Sequence, residues 1–440
     1  MAVGAIARRI FYRSEILARR REYSQAISRT QQLEDQLRLW NVRWAGILKN
    51  HPYWKKLQAE SDLPLRFESW EEFCATVPVM TRTEVKRNTE TMASVERRPD
   101  FNRITGGTTA EPVQIPAWNS ERASTRADTW MARGWYGIDP ASRLFLIWGH
   151  SHLFGTGARG WINARLRKAD DWLLGYNRFP AYNLGAEALE RAGRALLHFK
   201  PDYVIGYSVA LDLFARANGH LRDRLHGLGI KAVVGAAEGF PAPDSQALLE
   251  DLFGCPVAME YGSVETDLVA HTHPQGGYRA FWRSYFVEGE RESPGPAMKL
   301  RVTSLYERCF PLVRYELGDE VEPSEETGAT TLLGLASFKR VCGRCNDCVV
   351  LNDGIRVHSE VFTHVVRGYR EIDGYQVVQN GEDIRVLALL HGSLEPGLQD
   401  RIRSALGKVH PQLARIPVEK VDALRRTRAG KTPMVVRLDA

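Results

Sequence analysis

The spacing of hydrophobic residues changes near residue 100 and predicts a different kind of structure on each side of that point. Before it, apolar residues recur every three or four positions, at Leu33, Leu37, Trp40, Trp44 and Leu48. This is the spacing of one helix face, and charged side chains fill the opposite face. We therefore predict an N-terminal helical segment whose apolar stripe docks onto the main body of the protein.

Beyond residue 100, short apolar runs alternate with helical stretches. The pattern predicts strands at 144–148, 203–205, 231–234 and 256–259, and helices at 208–228 and 244–253. Strands that alternate with helices form βαβ units, so this region is predicted to build parallel sheet with helices on its faces.

The later segments differ because strands predicted at 298–304 and 330–335 have no long helix between them, which favours a small antiparallel, barrel-like part. The last hundred residues predict strands at 348–351 and 418–421, helices at 357–367 and 398–409, and a hairpin of 375–379 and 384–390 around Asn380-Gly381. The predicted fold is therefore α/β. A large N-terminal domain, 1–342, combines parallel α/β sheets with the barrel-like part, and a small α+β domain, 343–440, follows.

Composition limits the class of protein. A chain of 440 residues with 44% hydrophobic and 25% charged residues is typical of a globular protein of two or three domains. We find no apolar run of about 18 residues, so no transmembrane helix is expected. Arg8 and Arg9 interrupt the first apolar stretch, which argues against a signal peptide. Six cysteines are too few for a disulfide scaffold, so a cytoplasmic location is expected.

The positive charge lies at the N-terminus. The net charge is +6, and residues 1–50 alone carry 10 Lys+Arg against 4 Asp+Glu. Such a basic head could contact nucleic acid or an anionic membrane. A solvated amphipathic helix is the simpler interpretation, so no nucleic-acid partner is predicted.

Two glycine-containing segments could bind phosphate. Residues 105–112 read Thr-Gly-Gly-Thr-Thr-Ala-Glu-Pro, in which the glycines let backbone N–H groups approach an anion and the threonines add hydroxyl donors. A surface turn is the alternative. Gly430-Lys431-Thr432 ends like a P-loop, but Arg425 stands where that motif needs its first glycine.

Other signs are weaker alone. Asp319 follows Gly318 at the end of an apolar run, where its carboxylate could bind ribose hydroxyls. Cys342, Cys345 and Cys348 have a spacing that can bind zinc or an iron–sulfur cluster, with His358 as the nearest fourth ligand. Because no second pair of ligands accompanies them, metal binding stays open.

The order of these motifs is more specific than any one of them. The Gly/Thr loop is followed by Gly235-Ala236-Ala237-Glu238-Gly239, Tyr261-Gly262-Ser263-Val264-Glu265, Arg314 to Asp319, Gly343-Arg344 and Gly430-Lys431. From about Leu39 to its end, the chain resembles the adenylate-forming superfamily, and within it the phenylacetate–CoA ligase and CapK-like branch.

The resemblance implies a nucleotide site. Its loop residues Thr105, Gly106, Gly107, Thr108 and Thr109 would wrap the β- and γ-phosphates of ATP. Glu238 would lie by the adenine, Tyr261 and Gly262 against the purine, Asp319 on the ribose and Arg344 at the phosphate–ribose edge. Glu265 would hold Mg²⁺. Asn346 or Asp347 would form a hinge, about which the small domain would bring Lys431 to the reacting phosphate.

The resemblance also implies an acyl pocket and a reaction. The pocket would be lined by Trp148, His150, Ser151 and Ala236, although Trp148 could instead be a core residue. ATP would convert a small-molecule carboxylic acid to acyl-AMP, releasing pyrophosphate, and the acyl group would pass to CoA.

Two alternatives to this function stay open. One is transfer of the acyl group to an amine or a hydroxyl. The other is a non-catalytic nucleotide- or acyl-binding protein, for which Gly106 and Glu111, in place of the serine and lysine of many members, are the arguments. Whether the chain forms a homodimer also stays open.

Overall fold

The computed structural model describes most of the chain. The described residues are 3–25, 27–104, 114–148, 157–181, 186–237, 239–240, 244–291, 297–324, 331–344, 348–353, 356–366, 369, 371–390, 396–425 and 434–438.

The N-terminal segment is helical, as predicted. Its helices are α1 (Val3–Ser24), α2 (Arg29–Asn50), α3 (Pro52–Ser61), α4 (Trp70–Thr76) and α5 (Arg82–Met92). The Ser28 side chain caps α2 by accepting a hydrogen bond from the Gln31 backbone N–H. Trp40 and Trp44 on α2 are fully buried within an aromatic core that also contains Phe286 of the main body. The docking of this apolar stripe is therefore confirmed.

A parallel sheet follows a short antiparallel pair, β1 (Phe101–Ile104) and β2 (Gln114–Ala117). Its strands lie in the order β4 (Tyr176–Phe179), β3 (Leu144–Ile147), β5 (Tyr203–Tyr207), β6 (Val233–Ala236) and β7 (Val257–Ser263). The intervening helices are α6 (Glu121–Arg133), α7 (Gly157–Leu174), α8 (Ala186–Phe199), α9 (Ser208–Asn218), α10 (Arg222–His226) and α11 (Ser245–Phe253). The predicted alternation of strands and helices is thus confirmed.

The helix predicted at 208–228 is divided in two. α9 ends at Asn218, a short 3-10 helix spans Gly219–Leu221, and α10 follows. The buried Asn218 amide donates to the backbone carbonyls of Leu189 and Phe214 at 3.1 and 3.0 Å. The bond to Leu189 holds the end of α9 against α8, a contact that the hydrophobic pattern does not reveal.

Antiparallel strands continue the same sheet beyond β7. They follow in the order β8 (Asp267–Thr272), β9 (Tyr278–Ala280), β14 (Ser337–Arg344), β12 (Tyr315–Pro323), β11 (Met298–Ser304), β10 (Tyr285–Glu290) and β13 (Thr331–Leu333). The sheet therefore changes from parallel to antiparallel pairing at β7.

The C-terminal segment has its own sheet and core. β15 (Cys348–Val350) pairs with β16 (Arg356–His358), and α12 (Ser359–Val366) follows. The larger sheet has the order β19 (Val418–Lys420), β18 (Asp383–Leu390), β17 (Ile372–Asn380), β20 (Val435–Arg437), with α13 (Pro396–Gly407) against it. The predicted hairpin is confirmed, with Asn380 paired to Asp383 and Gly381 at φ +58°. Residues 357 and 358, predicted as helix, belong instead to β16, where Val357 pairs with Val349.

Among the described residues, every helix is too short or too polar to cross a bilayer.

Candidate functional site

The carboxyl ends of the parallel strands meet at one edge of the sheet. Ile147 of β3 is level with Gly206 of β5, and Tyr207 is level with Ala236 of β6. Trp148, the residue after β3, is half-buried and stacks on the Tyr207 ring at 4.1 Å between centroids. Clefts at this edge are the usual ligand sites of open α/β sheets. Trp148 and Ala236 thus lie on neighbouring strands at that edge.

The backbone at this edge is shaped for close approach. A Cβ atom on Gly235 would lie 2.5 Å from the Met259 Sδ atom, so only glycine fits there without movement. Ala237, immediately after β6, has φ +71°, a conformation that costs energy in a residue with a side chain. The strained residue directly precedes the segment in which the sequence predicts the adenine contact.

The turn between β7 and β8 carries Glu265. Ser263 and Thr266 hold the turn closed, since each side-chain hydroxyl accepts a hydrogen bond from the other's backbone N–H, at 3.2 and 3.0 Å. A bulge at Tyr261 and Gly262 shifts the register at this point. A Cβ atom on Gly262 would lie 2.0 Å from the Asp267 carbonyl oxygen. Gly262 is therefore required by the turn itself.

Tyr261 and Asp319 are brought together although 58 residues separate them in the sequence. The Tyr261 hydroxyl donates to the Asp319 Oδ2 atom at 3.0 Å. The Tyr261 ring is buried with its edge toward Tyr278 and Phe338. Arg344 of β14 is the register partner of Asp319 on β12. Three of the residues predicted at the nucleotide site therefore lie on adjoining parts of one sheet.

Glu265 is buried beside two polar side chains. Its Oε1 atom accepts a hydrogen bond from the Tyr315 hydroxyl at 3.3 Å and lies 3.6 Å from the Arg82 Nη1 atom. Only 4% of the residue is exposed. The carboxylate oxygens are the hard donors that Mg²⁺ prefers, and Mg²⁺ usually takes one or two protein carboxylates together with phosphate oxygens and water. Glu265 fits that role of a single protein ligand.

A buried charge network braces this turn from behind. Glu121, at the start of α6, lies 3.2 Å from Arg103 and 3.9 Å from Arg308. Arg103 reaches the Asp267 carboxylate at 2.6 Å and the Val264 carbonyl at 3.4 Å. Arg308 donates to the Glu265 carbonyl at 2.5 Å. The backbone on both sides of the Glu265 side chain is thereby fixed.

The remaining Glu121 oxygen is also satisfied, because Oε1 accepts hydrogen bonds from the Trp118 and Cys309 backbone N–H groups, each at 2.9 Å. A buried charge is tolerated only when it is paired and hydrogen-bonded in this way. Sequence reasoning missed Glu121, Arg103 and Arg308 because the contacts of Glu121 cross up to 188 residues and leave no local pattern.

Two tyrosines complete the network. Burial raises the pKa of Tyr285 and of Tyr306, so both phenols keep their protons near neutral pH. Tyr285 donates to the Thr266 carbonyl in the same turn, and Arg308 donates to the Tyr306 oxygen at 2.7 Å. The turn is thus held by neutral as well as charged donors.

Several of the predicted site residues lie outside the described residues. They are Thr105, Gly106, Gly107, Thr108, Thr109, His150, Ser151, Glu238, Asn346, Asp347 and Lys431. Of Arg344 the backbone position is described, and its side chain is not. The assignments of these residues remain predictions.

The cysteine trio is described in part. Cys342 is half-buried on β14, and the register of β15 and β16 places Cys348 opposite His358. Cys345 lies outside the described residues. Within the described part of the chain, no group of three or more His, Cys, Asp and Glu residues could hold a metal ion.

The chain resembles one curated protein over most of its length. Protein CapK of Staphylococcus aureus is 21% identical over 390 residues, which cover 84% of this chain and 82% of CapK. No protein-family model matches the chain.

Solved structures show the same architecture. 2-Hydroxyisobutyryl-CoA ligase bound to R3-HIB-AMP in the postadenylation state superposes with a TM-score of 0.60 at 17% identity, covering 93% of this chain and 90% of that chain. The same ligase with 2-HIB-AMP and CoA, in the thioesterification state, gives a TM-score of 0.58 at 18% identity, covering 94% and 91%. At these identities the likeness concerns the fold, and it extends over nearly the whole chain.

Proposed function

We propose that this chain, which has the fold of the adenylate-forming ligases, activates a carboxylic acid with ATP and transfers the acyl group to CoA. In the first step a carboxylate oxygen forms a bond to the α-phosphorus, and the bond from that phosphorus to the β-phosphate oxygen breaks. Acyl-AMP forms and pyrophosphate leaves. In the second step the CoA thiolate attacks the acyl carbon, and AMP leaves.

The observation that carries the proposal is the hydrogen bond between Tyr261 and Asp319, with Glu265 in the turn that follows the Tyr261 strand. The hydrogen bond orients the Asp319 carboxylate, a group whose oxygens are suited to accept from ribose hydroxyls. Gly318, directly before it, has φ +79°, which turns the backbone at this point. We assign Asp319 to the ribose and Tyr261 to the purine edge of the nucleotide.

Glu265 would hold Mg²⁺ through a carboxylate oxygen. When bound, the ion would neutralise negative charge on the phosphates. We assign the Glu121 network to holding the turn in place, because Arg103 and Arg308 contact backbone carbonyls and the carboxylates of Glu121 and Asp267. Preorganisation of this kind lowers the cost of binding and of reaction.

The remaining roles are assigned to residues outside the described ranges. We assign residues 105–109 to the β- and γ-phosphates, Glu238 to the adenine, and Lys431 to the charge that develops during adenylation. Arg344 would contact the phosphate–ribose edge. Asn346 or Asp347, between β14 and β15, would serve as the hinge that brings the C-terminal segment to the nucleotide.

The acyl group would lie at the strand edge next to Trp148 and Ala236. The stacked Trp148 and Tyr207 rings offer an aromatic wall, which suits an acid with an apolar body. His150 and Ser151 would complete the pocket. The ligase in the thioesterification state, which holds 2-HIB-AMP and CoA, supports CoA as the acceptor proposed here.

The function is tested by measuring pyrophosphate release with a panel of aryl, fatty and hydroxy acids, followed by product analysis with and without CoA. We expect ATP-dependent hydroxamate formation with at least one acid, and a thioester only when CoA is present. Glu265→Gln should lose activity, whereas Glu60→Gln, in an exposed ion pair with Lys56, should keep it. If pyrophosphate is released and the product formed without CoA is an amide or an ester, the proposed acceptor is an amine or a hydroxyl instead of CoA. No release with any acid, with nucleotide still bound, would favour the non-catalytic alternative.

A further inference from the structure

Large apolar side chains are exposed mainly on two helices. Among the described residues, 14 large hydrophobic side chains are exposed, and eight of these belong to α1 or α7. The eight are Ile6, Ile10, Phe11, Leu17, Ile162, Leu166, Trp172 and Leu173. Single exposed apolar residues are ordinary, but a concentration of them marks an interaction surface. We call these eight residues the α1–α7 surface.

The two helices present matching stripes. Ile6, Ile10 and Leu17 follow one another at i, i+4 and i+11 on α1. Ile162, Leu166 and Leu173 have the same spacing on α7. At 3.6 residues per turn, each set falls within about 40° of the helix circumference. Each helix therefore carries a line of aliphatic side chains that are at least partly exposed to solvent.

The stripe on α1 is additional to the face that attaches this helix to the protein. Ala5 and Ile16 are buried. Arg8 donates to the Pro140 carbonyl at 2.8 Å, and Arg126 reaches Glu15 at 2.9 Å. Since these contacts already fix the helix, the outward apolar residues are not needed to hold it in place.

The two stripes lie on helices that touch each other. A Cβ atom on Gly4 would lie 2.8 Å from the Leu173 Cγ atom, so α1 and the end of α7 are in direct contact. Phe11 and Trp172 are each 79% exposed, the most exposed aromatic side chains among the described large hydrophobic residues. Aromatic residues at such positions are typical of the membrane–water interface.

Basic side chains surround this surface. The exposed charged residues described on the two helices comprise one acid, Asp170, and seven bases, Arg9, Arg13, Arg20, Arg21, Arg165, Arg167 and Lys168. The other acids on these helices engage the body of the protein, since Glu22 pairs with Arg283 at 3.0 Å and Asp171 with Arg178 at 3.1 Å. Of the bases, Arg9 lies 3.6 Å from Asp139 and Arg167 lies 3.8 Å from Asp171. The exposed charge on the two helices is still predominantly positive.

We propose that the α1–α7 surface binds the surface of membranes that contain anionic lipids. The apolar stripes would enter the boundary between headgroups and acyl chains, and the surrounding arginines would contact lipid phosphates. A second copy of the chain fits less well, because a symmetric contact would bring two positive rims together. Nucleic acid would use the basic residues but would leave the aliphatic stripes exposed to water.

The test is co-sedimentation of the full chain with phosphatidylcholine vesicles, prepared with and without phosphatidylglycerol. We expect binding to the anionic vesicles only, with binding that weakens as salt is added. Phe11→Ser/Trp172→Ser should lower the vesicle affinity by about tenfold or more, because it removes the two aromatic anchors. Arg13→Glu/Arg20→Glu should lower it similarly by reversing charge.

Matched controls distinguish vesicle binding through this surface from nonspecific hydrophobic adsorption. Leu65→Ser/Val95→Ser removes two equally exposed apolar residues elsewhere, at 70% and 68% exposure, and should leave binding unchanged. The thermal midpoint of each variant should equal that of the unchanged protein, since all substituted side chains are exposed.

Three results would overturn the proposal. The first is that neither vesicle binds, or that both bind equally. The second is a dimer, seen by light scattering, that Phe11→Ser/Trp172→Ser dissociates, which would assign the surface to a second copy. The third is that a duplex oligonucleotide binds the protein more tightly than anionic vesicles do, and that Arg13→Glu/Arg20→Glu abolishes this oligonucleotide binding.

Discussion

At the scale of single residues, the Tyr261–Asp319 hydrogen bond connects two strands that the sequence separates widely. Tyr261 belongs to β7, where the sheet changes from parallel to antiparallel pairing. Asp319 belongs to β12, in the antiparallel part of the same sheet. The bond fixes the direction of a carboxylate that is only half-buried. A preorganised acceptor of this kind binds a hydroxyl donor at lower entropic cost than a mobile one.

We predict that Asp319→Asn raises the KM for ATP by about tenfold or more, because a hydrogen bond to a charged group contributes about 1.5–3 kcal/mol. Steady-state pyrophosphate release at varied ATP measures the effect. Glu322→Gln is the matched control, since it lies on the same strand but pairs with Lys339 and Arg340 at the surface. An unchanged KM in Asp319→Asn would remove this residue from the ribose site.

Asp128 gives the free energy of unfolding a pH dependence. Burial raises the pKa of its carboxyl group to about 6, although Arg19 at 3.0 Å and the Ser284 hydroxyl lower it. Between the ordinary value of 3.8 and about 6, the folded state therefore holds a proton that the unfolded state has released. Protonation of Asp128 stabilises the fold fully below that range, and the contribution is lost as pH rises through about 6.

We predict that the stability of the unchanged protein relative to Asp128→Asn falls by about 2 kcal/mol as pH is raised from about 4.5 to 7. Urea unfolding at several pH values measures the difference. Asp223→Asn, whose side chain is 96% exposed, is the surface control measured in the same way. A pH-independent difference between the unchanged protein and Asp128→Asn would show that the Asp128 carboxyl group titrates normally.

The assignment of Tyr261, Glu265 and Asp319 to a nucleotide site came from the order of short motifs and the family they resemble, and it stays a prediction. The structure joins Tyr261 to Asp319 by a hydrogen bond and places Glu265 in the turn after β7. The network of Glu121, Arg103 and Arg308 could not be predicted in this way. Its members come from three separate segments, and their pairing follows only from the packing of α6 behind the β7–β8 turn.

At the scale of elements, the turn between β7 and β8 depends on a glycine. The Gly262 Cα atom faces the Asp267 carbonyl so closely that an added methyl group would overlap backbone. Backbone cannot move aside as a flexible side chain can, so the turn carrying Glu265 would have to shift.

We predict that Gly262→Ala lowers the free energy of unfolding by about 1–3 kcal/mol and reduces pyrophosphate release by more than the loss of folded protein explains. Urea unfolding and activity per folded molecule are the measurements. Gly219→Ala is the control, because a Cβ atom there meets nothing within 4 Å. Full activity in Gly262→Ala would show that the turn does not position the reacting groups.

The elements themselves were largely predictable because their hydrophobic runs are distinct. The strand predicted at 298–304 coincides with β11. The helix predicted at 244–253 matches α11, except that the prediction starts one residue before the observed helix. The failures have physical causes in tertiary contacts. Asn218 ends α9 through a hydrogen bond to α8, and the pairing of Val357 with Val349 draws residues 357 and 358 into a strand.

At the scale of the whole molecule, the parallel and antiparallel regions share one sheet. The sequence predicts both kinds of strand but not their continuity, because the strand order β14-β9-β8-β7 joins segments that lie far apart in the chain. The C-terminal sheet is built around a separate core, in which Val377 and Ile402 are fully buried. Leu213 on α9 packs against that core, so the two units are in contact there.

The proposed use of this contact is that the C-terminal segment brings Lys431 to the nucleotide during adenylation and withdraws it for acyl transfer. We predict that Lys431→Ala lowers the rate of pyrophosphate release by about 100-fold or more, because it removes the positive charge opposite the reacting phosphate. Transfer from chemically prepared acyl-AMP to CoA should persist in the same variant, since that step does not need this charge. Rapid-quench assays of the two half-reactions measure this split.

Lys408→Ala is the matched control, because it removes an exposed lysine near the end of α13 within the same C-terminal segment. It should leave both half-reactions unchanged. Equal loss of both half-reactions in Lys431→Ala would indicate that the substitution disturbs the segment as a whole. Retention of pyrophosphate release would show that Lys431 does not reach the site, and the charge would then have to come from the large domain, where Arg82 lies 3.6 Å from Glu265.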